Sequence, residues 1–531
     1  MGHSQVLNRV GVRLFFLAGS LGRVSKRRPG VLGFLPVGSF VMTVFVYLIS
    51  AAFSILSLNS VTLATTAPTE KEVLEAMEKS TRFMMNTVSN RGGFLYHYSE
   101  DLSKQWGEIP ARKSQIWVQP PGTPTVGDML IEAYKGTGDS QYLKYAARVA
   151  EVLIWGQHPA GGWHYFVDFD PAGIRKFYEE VASQCRGWEE FYYYYGNATF
   201  DDDVTASASR FLLHLYTTSL DPRYKPGLVK ALDFVLRSQY PIGGWPQRYP
   251  LRYDFSHEGH PDYTSFYTYN DGVISNNIYL LLEAYERLGN EEYQKAAYRG
   301  MDFYILSQLP PPQAGWAQQY DLNLKPAWAR SYEPASLCSS ETVENIHDLE
   351  IFYKITGDAR YLRPIPEAIQ WLENSTVNTD PSKKGSHATF YEVGSNRPLY
   401  VHHESRDGKL TRYWVDHEPV ELPEYGMWFK VDIQAIKREY ERVKGLTPEK
   451  AMAEYLAMKQ ASRLPSPATP EEASKLITSL DKRGAWITEI SFLDTDNYAD
   501  NPPLKFRGID TRTYVSNMYK LISYLRSIRG R

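Results

Sequence analysis

Apolar residues along most of this chain recur at the spacing of one helix face, in blocks joined by polar turns. Lys71 to Val88 is one block and leads to Gly92-Gly93-Phe94. Further copies repeat the order helix, turn, helix, glycine–aromatic loop. The first takes Asp128 to Tyr134, the turn Gly138-Asp139 and a helix ending near Gly161-Gly162-Trp163. The second runs from Thr205 through Phe211 to Tyr216, Asp221-Pro222 and Ala231 to Leu236, and ends at Gly243-Gly244-Trp245. Asp271 to Tyr285, Gly289-Asn290 and Ala314-Gly315-Trp316 make the third, and Glu341 to Tyr353, Gly357-Asp358 and Ile369 to Leu372 the fourth. Tyr514 to Ile528 has the spacing of an inner or closing helix.

Helix pairs repeated without strands of comparable length predict an all-α dominated fold, either an open solenoid or a closed toroid. The loops that carry candidate chemistry gather at one end, which favours the closed (α/α) barrel. Short strands are expected around Ala388 to Tyr400 and Arg412 to Val415. Residues 447–481 are polar, contain Pro465, Pro467 and Pro470, and read as a lid-like excursion within a single domain spanning 68–531.

The first 67 residues differ from this body. They contain Arg9, Arg13, Arg23, Lys26, Arg27 and Arg28, no acids, and an apolar run from about Phe34 to Leu58. A basic stretch before an apolar core is a signal peptide or signal-anchor. The run is long enough to span a bilayer, with the basic residues on the cytoplasmic side. Export is expected, as a periplasmic, secreted or anchored protein, with membrane contact only through this segment if it is retained. Without the six leader cations, 52 basic residues face 61 acids, a net charge of −9. Such a body argues against nucleic-acid partners and leaves an anionic polymer open if the site itself is basic or holds a cation. A monomer is expected.

Composition adds 39 Tyr and 12 Trp, which suits a sugar held on ring faces and equally suits wet helix packing. Cys185 and Cys338 are the two cysteines: one disulfide or two buried thiols. Asp201-Asp202-Asp203 precedes a helix, so helix capping explains one or two of them. Three adjacent carboxylates also repel one another unless a cation is near, and oxygen donors of this kind suit Ca²⁺. Asp271 stands before a helix one copy later, with the same two readings, and equivalent repeat positions would bring Asp201 and Asp271 to one end of the barrel. Arg330, in Ala-Arg-Ser-Tyr-Glu-Pro, is either a structural partner of Glu333 or Glu341 or part of a site. The histidines, among them His158, His164, His257, His260, His402 and His403, lack zinc spacing.

Five motifs, in register, resemble the pectate lyases of polysaccharide lyase family ten. They are Thr199-Phe200-Asp201-Asp202, Gly-Gly-Trp-Pro-Gln at 243–247, Tyr-Asn-Asp-Gly at 269–272, Ala-Arg-Ser-Tyr-Glu-Pro-Ala-Ser-Leu at 329–337 and Arg406-Asp407-Gly408. The likeness runs from about 120 to 410. It implies an (α/α) toroid that cleaves polygalacturonate by Ca²⁺-assisted β-elimination. It further implies Asp201, Asp202 and Asp271 as metal ligands and Arg330 as the base, with Arg406, Trp245, Gln247 and Glu333 on the anionic polysaccharide. The chain departs from that pattern at Thr389, where a second carboxylate-binding Arg is usual, at Asp203 in place of a small residue, and at Cys338-Ser339. Alternatives from other classes are a glycoside hydrolase on the same kind of barrel, which needs two catalytic carboxylates, and an inactive glycan-binding protein of the cell surface.

Overall fold

The computed structural model describes residues 67–182, 196–252, 256–257, 260–377, 385–406, 409–419, 428–461, 466–492 and 504–530. The leader and Cys185 lie outside them. Among the described residues, no helix is long and apolar enough to cross a membrane.

Thirteen of the fourteen α-helices among the described residues build the body, the short helix Ile174–Glu180 aside. They are α1 Glu70–Phe83, α2 Thr123–Thr137, α3 Ser140–Trp155, α4 Val204–Ser219, α5 Lys225–Ser238, α6 Val273–Leu288, α7 Glu291–Ser307, α8 Ser339–Thr356, α9 Ile365–Asn374, α10 Ile433–Lys444, α11 Pro448–Ala461, α12 Pro470–Thr478 and α13 Thr511–Ile528. A single device joins most pairs. Gly138, Leu220, Gly289 and Gly357 take the left-handed conformation that ends α2, α4, α6 and α8, each donating its N–H to a tyrosine carbonyl four residues back. The next residue, Asp139, Asp221, Asn290 or Asp358, accepts a backbone N–H two residues on and starts the following helix. The polar turns of the sequence are therefore paired stop and start signals.

The pairs close into an (α/α) toroid. Inner helices α2 and α4 pack side by side, as do α4 and α6, while α3, α5, α7 and α9 lie outside them. The last helix, α13, packs between α2 and α1, so the first helix of the body is the outer partner of the last. Closure is completed by α12, which contacts both α1 and α13. A four-stranded antiparallel sheet reinforces the seam: Ile487–Phe492, Leu504–Asp510, His97–Ser99 and Gln105–Trp106, with His97 opposite Asp510.

The glycine–aromatic loops hold this ring together. Trp163, Trp245, Trp316 and Trp486 are buried, and each indole N–H donates to a carbonyl of the outer helix before it: Leu153, Val235, Tyr304 and Leu476, at 2.8, 2.9, 2.9 and 2.9 Å. His387 takes the same place in the fifth loop, its Nε2 lying 2.7 Å from the Leu372 carbonyl. The aromatic residue's own carbonyl accepts an N–H from the next helix entry, at Trp117, Thr199, Thr268 and Cys338 in turn. The carbonyl two residues later accepts from the preceding entry, as in Tyr165 to Val118, Gln247 to Phe200, Gln318 to Tyr269 and Thr389 to Ser339. At the seam the Tyr96 carbonyl accepts from Thr511 at 2.9 Å, so the same bond closes the circle. Gln157, Gln239 and Gln308 brace the loops by donating to both the loop and the next outer helix entry.

Residues 447–481 correct the expected lid. Here α11 crosses the end of the barrel remote from the loops: it begins against Gly357, its Glu454 pairs with Lys354, and Lys459 pairs with Glu286 near the C-terminus of α6. The following helix α12 is the sixth outer helix. The polar composition that suggested a lid belongs to surfaces of helices whose buried contacts are few, chiefly Ala451, Tyr455 and Ala473. A second antiparallel sheet, Ser336–Cys338, Phe390–Glu392, Pro398–Arg406 and Lys409–Asp416, meets the expectation of short strands in that region.

Gly243 gives the sharpest test of the loop scheme. Its φ is +112°, and a Cβ there would stand 1.9 Å from the Arg299 carbonyl of α7. Gly243→Ala is expected to lose about 1–3 kcal/mol from backbone strain alone, with the clash adding to it. The thermal midpoint should fall by several degrees, and an unchanged midpoint would refute the scheme.

Candidate functional site

Two short turns at the loop end of the barrel present the acids. Asp201–Asp203 is a single 3₁₀ turn before α4, and Asn270–Gly272 is the same turn before α6. In both, the second and third residues are left-handed: φ is 49° at Asp202, 59° at Asp203, 55° at Asp271 and 69° at Gly272. For a residue with a side chain this conformation costs about 1–2 kcal/mol, least for Asp and Asn. The helix starts carry no side-chain cap, so capping does not explain these aspartates. The two turns touch, as repeat equivalence predicts, but the register differs by one from that expected. Asp202 corresponds to Asp271, and Asp201 corresponds to Asn270.

Arg330 stands where the turns meet. Its segment is folded back by hydrogen bonds from Ala329 N–H to the Glu333 carbonyl and from Glu333 N–H to the Arg330 carbonyl. The guanidinium is 7 % exposed. Its Nη2 lies 2.8 Å from Asp201 Oδ2, and its Nη1 lies 3.4 Å from Asp271 Oδ2 and 2.9 Å from Glu333 Oε1. Glu333 also accepts the Arg330 backbone N–H at 3.1 Å, so this acid sets both ends of the arginine.

A further set of polar side chains fixes the acids. Tyr165 donates to Asp201 Oδ2 at 2.5 Å, and Gln119 donates to Asp202 Oδ2 at 2.8 Å while accepting from the Trp117 indole. Asn270 Nδ2 donates to Asp271 at 2.8 Å and to Glu333 at 3.1 Å, and its own Oδ1 accepts from Gln318. Tyr165 and Gln318 each lie two residues after a loop tryptophan, so the ring of loops is also the wall of the site. Sequence reading missed Tyr165, Gln119, Asn270 and Gln318. The signal that points to two of them, Tyr165 and Gln318, is their constant offset from Trp163 and Trp316.

The electrostatic balance is negative. Burial pushes the Asp271 carboxyl well above the ordinary carboxylate range, the charges of Asp201 and Asp202 push it further, and Arg330 opposes them. Asp203 is also raised, by burial first, against the pull of Arg210. Asp201 Oδ1 is buried with no hydrogen-bond partner. An all-oxygen donor set with an unsatisfied carboxylate oxygen fits a hard cation in its chemistry. Among the described residues, however, no group of three or more acids, histidines or cysteines is already arranged as a metal cage. Arg330 explains this, because it takes the Oδ2 atoms of Asp201 and Asp271.

The remaining expected residues fall in two groups. Trp245 is fully buried, its ring packed on Gly300 and its N–H bonded to Val235; it is a core residue and presents no face to a sugar. Glu333 is likewise fully buried and occupied with Arg330, Asn270 and Gln319, so it positions the arginine and does not meet a substrate. Gln247 is 1 % exposed, and its carbonyl accepts the Phe200 N–H beside Asp201. These burials correct the substrate-binding expectation for all three. Arg406 ends the strand Pro398–Arg406, and its side chain lies outside the described residues. Thr389 is buried at the loop position that Tyr165 and Gln318 occupy in other repeats, so the exchange noted there falls in the ring that walls the site. Cys338 is a free, buried thiol, pushed up to about 12 by burial.

Residues 189–421 match the family model described as pectic acid lyase. None of the curated proteins compared matches the chain. Among solved structures, a family 10 polysaccharide lyase from Cellvibrio cellulosa, solved also as a variant in complex with trigalacturonic acid, is 19 % identical, covering 60 % of this chain and 98 % of its own, with a TM-score of 0.40. A sugar epimerase from a ruminal bacterium is 13 % identical over 86 % of this chain and 99 % of its own, with a TM-score of 0.40. An α-mannanase of Bacteroides thetaiotaomicron is 12 % identical over 87 % and 95 %, with a TM-score of 0.39. These scores carry no argument about activity. The family match covers both aspartate turns and the Arg330 segment, and it supports a lyase-type enzyme.

Proposed function

We propose that this protein is a polysaccharide lyase that cleaves a uronate polymer, polygalacturonate foremost, by β-elimination assisted by Ca²⁺. The observation that carries the reading is the meeting of two left-handed aspartate turns on one buried arginine, inside the segment that matches the pectic acid lyases.

Asp201, Asp202 and Asp271 would hold the cation. When bound, it supplies positive charge to the C6 carboxylate, which acidifies the C5 proton and stabilises the enolate-like state. The chain's own groups do the rest. Arg330 takes the C5 proton, the C5–H electrons form the C4–C5 double bond, and the C4–O bond breaks with its electron pair going to the departing oxygen, which is protonated from solvent. The products are a new chain end and a 4,5-unsaturated uronide. A guanidinium held by three carboxylates is a cation; a metal ion seated on Asp201 and Asp271 would oppose that charge and favour the neutral form that accepts the proton. Glu333 is fixed by Asn270 and Gln319 and keeps the arginine aimed while this happens.

A hydrolase is the second reading, because burial and the charges of Asp201 and Asp202 hold the Asp271 carboxyl towards its protonated form, and an acid of that kind beside further carboxylates can serve acid–base catalysis. Product chemistry separates the two. With Ca²⁺ present, polygalacturonate should develop the ultraviolet absorbance of an unsaturated uronide, and chelator should abolish it. Arg330→Ala should lower kcat by about 10²–10⁴-fold. New reducing ends without that absorbance would establish the hydrolase; neither signal on any uronan would leave the glycan-binding protein.

Stability against pH, measured in chelator, checks the electrostatics of the site. A carboxyl whose folded state binds its proton more tightly than the unfolded chain stabilises the fold below its unfolded value of about 3.9. That stability is lost as pH rises through the raised folded value. In chelator, Asp271→Asn keeps the neutral form at every pH. It should therefore melt higher than wild type at pH 7 and equal to it near pH 3.5, measured by calorimetry. A variant that melts lower at pH 7 would show that the Asp271–Arg330 contact outweighs the repulsion.

A further inference from the structure

Beneath the site the barrel's interior holds a chain of ion pairs that the proposed chemistry does not use. Asp203 Oδ2 lies 3.3 Å from Arg210 Nη1, and Arg210 Nε lies 3.8 Å from Glu283 Oε2. Glu283 Oε1 lies 2.9 Å from His214 Nε2 and receives Arg287 Nε and Nη2 at 3.0 and 2.8 Å. His214 Nδ1 lies 2.7 Å from Asp128 Oδ1, and Arg287 Nη1 donates to Thr217. Both ring nitrogens of His214 therefore face carboxylates. Burial pulls the imidazole down, yet Asp128 and Glu283 lift it to about 9, so it is an imidazolium at neutral pH. Three cations and three acids, spread over three adjacent inner helices, make a compensated network.

The helices it joins are the three that carry the site. Asp128 is on α2, whose entry supplies Gln119 to Asp202; Arg210 and His214 are on α4, which follows Asp201–Asp203; Glu283 and Arg287 are on α6, which follows Asn270–Gly272. Asp203 is the one point at which the network touches an acid turn. Its repeat counterpart is Gly272, which takes the same left-handed backbone without a side chain. The aspartate is thus not required by the turn, and its buried carboxylate is spent on Arg210.

We infer that Arg210 is a positioning residue for the candidate site: it anchors the Asp201–Asp203 turn through Asp203 and spaces it from the Asn270–Gly272 turn through Glu283. Arg210 does not touch the acids proposed to hold the cation. It acts on them through the backbone of one turn and the lateral spacing of two helices.

Hydrogen exchange on the whole protein tests this without any reaction. In Arg210→Met, peptides spanning 199–204 and 268–274 should exchange about tenfold faster, while a peptide from α5 is unchanged. In Glu283→Gln, which leaves the Asp203–Arg210 pair in place, only the 268–274 peptide should quicken. Should Arg210→Met not fold, this second variant decides alone. The kinetic arm rests on the lyase reading: Arg210→Met should lose kcat with KM little changed, and Arg210→Lys should restore most of it. Exchange that rises in neither turn, or in α4 alone, overturns the inference. A wild type without lyase activity would sink the proposed function and leave the exchange result to judge the positioning role.

Discussion

Each loop of this barrel is bonded both backward and forward around the ring, and the rest of the structure depends on that constraint. A loop tryptophan, or His387 in its place, is tied to the outer helix it follows. Its carbonyl takes the next helix entry, and the carbonyl two residues on takes the previous one. These are backbone bonds inside a dry interior, where an unmade bond costs about 1–3 kcal/mol. Entries to inner helices are consequently held at set spacing before any side chain of the site is considered. The acids ride on those entries.

That arrangement explains how so much like charge is tolerated. Asp201, Asp271 and Glu333 surround one guanidinium, Asp202 adds its charge beside Asp271, and burial makes each charge costly. A flexible site would relieve the repulsion by moving the acids apart. Here two of them sit on left-handed residues of rigid 3₁₀ turns, with Tyr165, Gln119 and Asn270 fixing their carboxylates. The strain is local to the turns, and the scaffold sustains it. Arg330 offsets part of the surplus negative charge held this way.

Much of the scaffold was legible because it is local. Helical period, the Gly-Asp and Asp-Pro turns and the glycine–aromatic loops each act over a few residues, and the repeat made them visible four times over. Functional weight was harder to assign. Gly-Gly-Trp-Pro-Gln looked like a sugar-binding motif, yet Trp245 and Gln247 are buried, because an aromatic residue is as useful to a helix packing as to a pyranose. The one-residue offset between Asp201 and Asp271 was invisible because it depends on which residues are left-handed. Gln119 and His214 were missed since their partners are 83 and 69 to 86 positions away, and Arg210, though only seven residues from Asp203, has its second acid 73 positions away. Residues 447–481 misled for the opposite reason: their polarity is a surface property, and nothing local says which end of a barrel a helix will cover.

The contrast between Asp203 and Gly272 shows what the chain has added to its own repeat. At the same left-handed position glycine has no steric penalty, whereas an L-residue costs about 1–2 kcal/mol. Asp203 also places a carboxylate where it is 3 % exposed, with Oδ1 unbonded, which is a further cost. A single contact to Arg210 at 3.3 Å offsets part of both. Glycine meets the same backbone demand without these costs, as in the second turn. The contact, however, does more than compensate a charge. What it does in this structure is join the acid turn to the interior network, whose other members belong to the helices behind Asp271 and Gln119. The cost is local to one residue; the constraint it supplies extends across three helices.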